Sequence, residues 1–311
     1  MSVTESIKGK NILITGGAGF IGSHLANLLK TDNKVFVIGK TKPDIIPDGV
    51  LFEVYDICDD KFLTFFENES FDYIFHFAGN ASPQISLEDP EYDFQVNLLS
   101  TFKILNILKK NKSKTKFIYA SSVAVYGDCK DDLLSEDSSM TLPISNYGVS
   151  KLSAEKYVCA FNKQYGVNSI SLRIFSTFGP GLKRQIVYDL INKLSNNPKS
   201  LEILGDGTES RDMTFVFDQV KNIVKVAQYA DYNGEVYNLG SGQAYSTKYI
   251  AELIAKTMNL NPKFIFTKNI RVFDGHTWTA DIAKIKDFGC DNFTDFNEGI
   301  EETINWYNKQ K

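Results

Sequence analysis

In Tyr147-Gly148-Val149-Ser150-Lys151 a phenol and an ammonium lie four residues apart, so on a helix both project from one face. A phenol titrates near 10 in water, too high to trade protons readily at neutral pH; a neighbouring ammonium together with an oxidised nicotinamide favours the phenolate and lowers that value. Ser122, at the end of the strand that enters Ser121-Ser122-Val123-Ala124-Val125-Tyr126-Gly127, is placed to hydrogen-bond an oxygen whose charge changes during hydride transfer. On its own, a Tyr-x-x-x-Lys pair is common on protein surfaces. Its meaning here depends on what else the chain brings to it.

The second chemical feature is a glycine spacing, Gly16-x-x-Gly19-x-x-Gly22, between the apolar run Asn11 to Thr15 and the helical pattern Phe20 to Lys30. Small residues at these points let a strand turn sharply, let a pyrophosphate approach the backbone, and let the next helix pack on the sheet. The free amides and positive dipole end of that helix then face the phosphates. A site for NAD ordinarily offers Asp or Glu at the end of the second strand, some 20 residues on, to hold the ribose hydroxyls. This chain has Gly39-Lys40-Thr41-Lys42 there, which removes a repulsion against a 2′-phosphate and offers Lys40 and Lys42 to bind it. NADP(H) is therefore expected over NAD(H), the alternative being that both lysines are solvent-exposed loop charges. Asp56 is a candidate contact for the adenine amino group, or else a turn-capping aspartate.

These residues need a scaffold, and the hydrophobic pattern predicts one. Short β-branched or aromatic runs at Asn11 to Thr15, Lys34 to Ile38, Leu51 to Tyr55, Tyr73 to Phe77, Lys116 to Ala120 and Ser169 to Ile174 alternate with helical stretches. Near-continuous apolar strands alternating with helices predict a Rossmann-type α/β fold, a doubly wound parallel sheet covered on both faces. Tyr92 to Asn111 and Tyr147 to Tyr165 are the strongest helices, the second stopped by Gly166. Beyond Ile174, turn residues at Gly179-Pro180-Gly181, Asn196-Asn197-Pro198 and Gly205-Asp206-Gly207 break the chain into shorter elements. A smaller α/β substrate-binding lobe is expected there, with Val236 to Leu239 returning to the first sheet. The expected division is residues 1–175 plus about 214–245 for the dinucleotide, and about 176–213 plus 246–311 for the substrate.

Composition narrows the partners. The 311 residues are 43% hydrophobic and 23% charged, enough to bury a sizeable core. With 38 acidic against 34 basic residues, a net charge of -4 does not suit a protein that neutralises runs of phosphates, so no nucleic-acid partner is expected. No apolar run approaches a membrane span, and the first strand starts too early to leave room for a signal peptide, so a cytoplasmic location without membrane attachment is expected. Cys58, Cys129, Cys159 and Cys290, like His24, His76 and His276, are scattered without ligand spacing, and no metal site is expected.

Thr15-Gly16-Gly17-Ala18-Gly19-Phe20-Ile21-Gly22, the Ser122 segment and Tyr147-x-x-x-Lys151, in this order, resemble the extended short-chain dehydrogenase/reductase family, in its nucleotide-sugar epimerase and 4-reductase branch. The similarity spans nearly the whole chain. It implies Ser122, Tyr147 and Lys151 as the catalytic set, with Tyr147 and Lys151 also on the cofactor. Gly16, Gly19, Phe20, Ile21, Gly22, Asp56, Ile57, Phe77 and Ala78 are implied around the dinucleotide. His76-Phe77-Ala78-Gly79 is similar to the family's segment beside the nicotinamide ribose, and Asn97 stands where the family places a helix-distorting asparagine. Arg211, after Gly205-Asp206-Gly207, and Arg271, ten residues before Asp281, match arginines that meet a substrate diphosphate. A nucleotide-diphospho-sugar substrate and a homodimer follow from the same resemblance.

Two departures shape the expected activity. Ser122-Val123-Ala124 lacks the Thr-Asp-Glu type sequence of the 4,6-dehydratases, and Ser176 replaces an asparagine that commonly contacts the sugar nucleotide. The basic pair Lys183-Arg184 either faces the nucleotide or merely opens the next helix. The missing ribose-binding acid favours NADPH-dependent reduction of the C4 ketone of a nucleotide-linked 4-keto-6-deoxyhexose. A 4-epimerase with tightly held NAD is the alternative, and a non-catalytic NADP(H) sensor a third reading that the intact Ser122, Tyr147 and Lys151 set argues against.

Overall fold

The computed structural model describes residues 7–43, 46–129, 131–137, 139–267 and 277–310. In chain order the strands are β1 (Asn11–Thr15), β2 (Lys34–Gly39), β3 (Val50–Val54), β4 (Tyr73–His76), β5 (Lys116–Ser122), β6 (Ser169–Ile174), β7 (Ser176–Phe178), β8 (Ser200–Ile203) and β9 (Ser210–Phe215). They continue with β10 (Asn233–Leu239), β11 (Ala244–Ser246), β12 (Lys263–Phe266) and β13 (Thr277–Trp278). Seven of them form one sheet in the order β10-β6-β5-β4-β1-β2-β3, every pair parallel.

Alternate residues of each strand feed opposite cores, which is why the strands read as unbroken apolar runs. Ile12 and Ile14 of β1 join Leu25, Val35, Phe75, Ile118 and Leu172 on one face. Leu13, between them, joins Ile74, Phe117, Tyr119, Ile104, Leu105, Ala154 and Val158 on the other. As expected, the Val236 to Leu239 segment returns to this sheet, within β10 alongside β6. The later part of the chain builds a second sheet, β11-β9-β13 with β7 also on β9, and a two-stranded pair, β12 with β8. Helices Gln185–Asn196, Thr247–Thr257 and Phe296–Asn308 cover a third core around Ile191, Leu194, Leu201, Phe215, Ile254 and Ile300. No helix among the described residues is long and apolar enough to cross a membrane.

The order of the central sheet reverses between β1 and β4, so the chain leaves these neighbours in opposite directions and a crevice opens past their carboxyl ends. The glycine turn follows β1, Phe77-Ala78-Gly79 follows β4, and Ser122 ends β5, so all three reach that crevice. One element departs from the expected pattern. The helix predicted at Tyr92 to Asn111 starts earlier, at Pro90, and is interrupted: α-helix Pro90–Asp93 passes into a π-helical segment, Phe94–Leu99, before α-helix Ser100–Lys110. The π segment holds Asn97, and Thr101 Oγ1 donates to the Asn97 carbonyl at 3.0 Å.

Candidate active site

The crevice is a cleft of about 1790 Å³, lined at one end by the glycine turn, Lys40, Asp56 and Ile57, and at the other by Arg184, Arg211 and Trp278. That exceeds the roughly 300–1,000 Å³ of a single small-ligand pocket and leaves space for two ligands end to end.

Helix Asn146–Tyr165 positions the reactive pair. Ser145 caps it by accepting from the Gly148 amide at 3.1 Å, and Gly166 ends it in the left-handed region at φ 70°. A Cβ on Gly148 would stand 2.6 Å from the Ala124 carbonyl oxygen, so glycine there lets the helix close on the turn after β5. That approach brings Tyr147 to Ser122, with which it hydrogen-bonds, while Ser122 Oγ also accepts from the Ala124 amide at 3.2 Å. Lys151, 5% exposed, donates to the Ala120 carbonyl at 3.0 Å and stands 5.2 Å from the Tyr119 ring and 5.9 Å from the Tyr147 ring. The geometry joins all three predicted catalytic residues on one wall of the cleft.

Burial adds a contribution that spacing does not carry. Burial pushes the Tyr147 phenol above its ordinary value; the Ser122 hydrogen bond and the Arg184 cation pull it back, and the Asp93 carboxylate pushes it further up. Lys151 donates to the Ala120 carbonyl and is itself desolvated. Burial brings Lys151 down to about 8, opposed by Asp93. His76 is not an acid or base here: Thr15 Oγ1 at 2.7 Å and Thr101 Oγ1 at 3.1 Å hold its two ring nitrogens, and burial takes it down to about 3.

The phosphate end fits a dinucleotide. Gly16 has φ 71°, and a Cβ there would lie 2.6 Å from the Ala78 nitrogen, so the turn packs directly on the segment after β4. Gly19 caps helix Phe20–Leu29 with no side-chain hydrogen bond and no acidic residue in its first turn, leaving the helix end open to an anion. Phe20, Ile21, Gly22, Phe77 and Ala78 line the cleft as expected. Lys40 and Lys42 behave differently from one another. Lys40 reaches the cleft but forms a 3.0 Å ion pair with Asp56, so its charge is already matched; Lys42 is exposed and outside the cleft lining. Asp56 faces the cleft and caps its own turn by accepting from the Cys58 amide at 3.0 Å.

At the far end Arg211 stacks on Trp278, 4.6 Å from guanidinium carbon to ring centroid, and donates to the Ser210 carbonyl at 2.8 Å. Trp278 in turn donates to the Gly127 carbonyl at 2.9 Å. Arg271 lies outside the described residues. Of the basic pair, Arg184 lines the cleft and also opens helix Gln185–Asn196, while Lys183 is exposed. Sequence reasoning did not find Trp278, Arg184's influence on Tyr147, or the buried groups Asp93 and Asn80; Arg211 lies 67 residues from Trp278 and Tyr147 lies 37 from Arg184, while the burial of Asp93 and Asn80 is set by the fold.

Comparison with known proteins agrees with this geometry. The model of the NAD-dependent epimerase/dehydratase family matches residues 12–240. An uncharacterized UDP-glucose epimerase, YtcB, of Bacillus subtilis is 30% identical over 94% of this chain and 96% of its own. The structure of a UDP-N-acetylglucosamine 4-epimerase from Methanobrevibacter ruminantium, in complex with UDP-N-acetylmuramic acid, superimposes with a TM-score of 0.86 at 30% identity, over 98% of this chain and all of that one. MoeE5 in complex with UDP-glucuronic acid and NAD gives 0.87 at 28% identity, over 97% of this chain and 100% of that one. A match over well over half its length, with Ser122, Tyr147, Lys151 and the glycine turn on one cleft, makes this chain a member of the NAD-dependent epimerase/dehydratase family.

Proposed function

We propose that the chain is a UDP-sugar 4-epimerase that works with NAD. The observation that carries this reading is the joining of Ser122, Tyr147 and Lys151 midway along one cleft, between an open helix end suited to a dinucleotide and an arginine suited to a substrate diphosphate. NAD held at the glycine turn and beside Tyr147 and Lys151 would supply reversible hydride acceptance at C4. Tyr147 accepts the proton of the C4 hydroxyl and later gives it back, so the reaction is an isomerisation with no net redox change. Ser122 steadies the C4 oxygen while its charge changes. The Lys151 ammonium offsets the charge on the phenolate, and Arg211 holds the diphosphate while the sugar turns over.

The reductase reading rested on the missing ribose-binding acid, with Lys40 and Lys42 offered as ligands for a 2′-phosphate. With Lys40 paired to Asp56 and Lys42 away from the cleft, NAD is the better fit, which also agrees with relatives bound to NAD and named as 4-epimerases. The expected two-part division, with residues 1–175 and about 214–245 on the dinucleotide and the remainder on the nucleotide sugar, belongs to this proposal. So does a homodimer through the Ser100–Lys110 and Asn146–Tyr165 helices, where Val149, Tyr157 and Tyr165 are exposed. The test is direct: denature the purified protein, identify the dinucleotide released, and assay UDP-glucose, UDP-N-acetylglucosamine and UDP-glucuronate for C4 inversion without added reductant. Near-stoichiometric NAD and inversion of one of these support the proposal; turnover only of 4-keto sugars with NADPH overturns it in favour of the reductase.

A further inference from the structure

Behind Lys151 lies a carboxylate that the proposed chemistry does not use. Asp93 ends the short helix Pro90–Asp93 and is 0% exposed. Its Oδ1 accepts from Asn80 Nδ2 at 2.9 Å and from Asn97 Nδ2 at 2.8 Å, while its Oδ2 has no hydrogen-bond partner among the described residues. An ionised carboxylate only accepts, so both amides must turn their NH₂ groups toward it. Asn97 then has one orientation, with Oδ1 facing away from Asp93. That oxygen is also buried without a partner among the described residues, and it touches the space a Cβ on Gly79 would occupy, a point 3.7 Å from Lys151 Nζ.

Resting on the epimerase reading above, we infer that Asp93 is a positioning residue, which fixes the Asn97 amide toward Lys151 and serves as the buried counter-charge of the Lys151 ammonium. A cation taken out of water needs such compensation. The other groups around Lys151 do not supply it. From β5 come the Tyr119 ring and the Ala120 carbonyl; from β4, His76, neutral at ordinary pH; from its own helix, Tyr147 and Glu155, the latter engaged by Arg173 and Ser121. Arg184 acts on Tyr147 with the wrong sign for a counter-charge. Asp93 is the carboxylate that opposes the loss of the Lys151 proton and also raises the Tyr147 phenol.

The experiment needs neither substrate nor cofactor. In the full chain labelled with ¹³Cε-lysine, the Lys151 resonance, assigned by its absence in Lys151→Arg, titrates near 8 in the unmodified protein. In Asp93→Asn, nearly the same shape without the charge, the midpoint falls by roughly one unit or more. Should that variant not fold, Asp93→Ser is titrated in its place, and either variant decides. A midpoint unmoved in a folded variant overturns the inference. Activity supplies a separate arm. If UDP-sugar turnover is found, loss of one buried negative charge shifts both limbs of the kcat/KM profile to lower pH, since Lys151 and Tyr147 both lose protons more easily. A merely structural role lowers the curve at every pH without moving it, which also overturns the inference. Absence of turnover in the unmodified protein counts against the epimerase reading and leaves the lysine titration to decide on Asp93.

Discussion

Glu155 lies one helical turn beyond Lys151 and forms a buried bidentate pair with Arg173 of β6: Nη2 donates to Oε1 at 2.6 Å and Nε to Oε2 at 3.0 Å. Both side chains are at most 3% exposed. Ser121 Oγ donates to Oε2 at 2.9 Å, and Arg173 Nη1 donates to the Tyr126 hydroxyl at 2.8 Å, which in turn donates to Asn238 Oδ1 at 2.8 Å. The pair therefore ties the catalytic helix to β5 beside Ser122, to β6 and to β10. Burial disfavours the guanidinium, but the hydrogen bonds and charge of Glu155 outweigh it and hold Arg173 well above the usual arginine range. Arg173 accordingly stays charged when Glu155 is replaced. Glu155→Gln is then expected to cost about 3–5 kcal/mol, because it strands a buried cation rather than merely deleting an attraction. For a chain of this size, about 2 °C per kcal/mol gives a fall in Tm of roughly 6–10 °C. Replacing both partners, Glu155→Leu with Arg173→Met, removes the stranded charge along with the pair. The remaining loss is mainly the Ser121 hydroxyl, left without its acceptor, at about 1–3 kcal/mol. A double-mutant cycle by urea denaturation on Glu155→Leu, Arg173→Met and the two together should therefore show the double variant well above the sum of these singles in stability, with a coupling of at least about 2 kcal/mol. A Glu155→Gln cost below about 1 kcal/mol, or strict additivity of the two changes, refutes the claim that this pair anchors the catalytic helix.

Other outcomes follow from the same geometry. Tyr147→Phe should keep dinucleotide binding and lose turnover by about 10²–10⁴-fold, the scale of a missing proton donor, measured as kcat with the released dinucleotide quantified alongside. His76 has a folded-state value of about 3 against 6.5 in its absence of burial, so the unfolded chain binds more protons between those values. Its contribution is complete above pH 6.5 and is lost as pH falls toward 3; His76→Asn should remove up to about 1.4 kcal/mol per pH unit from the slope of urea-measured stability in that window. Gly16→Ala, at φ 71° and with its new Cβ 2.6 Å from the Ala78 nitrogen, should lower Tm and strip the purified protein of dinucleotide. Lys40→Ala breaks a largely exposed ion pair and should change stability by less than about 1 kcal/mol. Its effect on the NAD to NADP affinity ratio, by fluorescence titration, should stay within a few-fold; a selective loss of NADP binding would restore Lys40 as a phosphate ligand.

The parts of this molecule that could be read along the chain are those whose cause is local. β1, the glycine turn and the helix Phe20–Leu29 are set by a few adjacent residues, and the ends of helix Asn146–Tyr165 by a capping serine and a left-handed glycine. Tyr147 and Lys151 share a face because four residues make about one turn. The π segment is different. Composition does not ask for an extra residue in Phe94–Leu99; the distortion at Asn97 was legible only through the family resemblance, and what accompanies it is distant: Asn80 beside Asp93, Gly79 making space for Asn97, and Thr101 on His76.

The same contrast applies to the phenol. Spacing alone placed an ammonium near it, which lowers its value, but spacing contains no information about desolvation. Burial of Tyr147 and Lys151 against β5 is a tertiary fact, and in the folded chain it pushes each group toward its neutral form. Lys40 makes a parallel case at the other end of the cleft, since its charge in sequence looks available and in the fold is matched by Asp56, 16 residues on. The chain thus assembles a buried phenol that desolvation pushes up, a buried ammonium that desolvation brings down and a Lys40–Asp56 ion pair at the other end of the cleft. These are conditions under which a bound dinucleotide, rather than the protein alone, would decide the ionisation of Tyr147, so that the phenol is activated only when the cofactor is in place. A ¹³Cζ-tyrosine titration, with Tyr147 assigned by Tyr147→Phe, should accordingly show the phenol above its ordinary value in the dinucleotide-free protein and lower once NAD is added. Equal midpoints with and without NAD would mean that the charge lowering this phenol has to come from elsewhere in the chain.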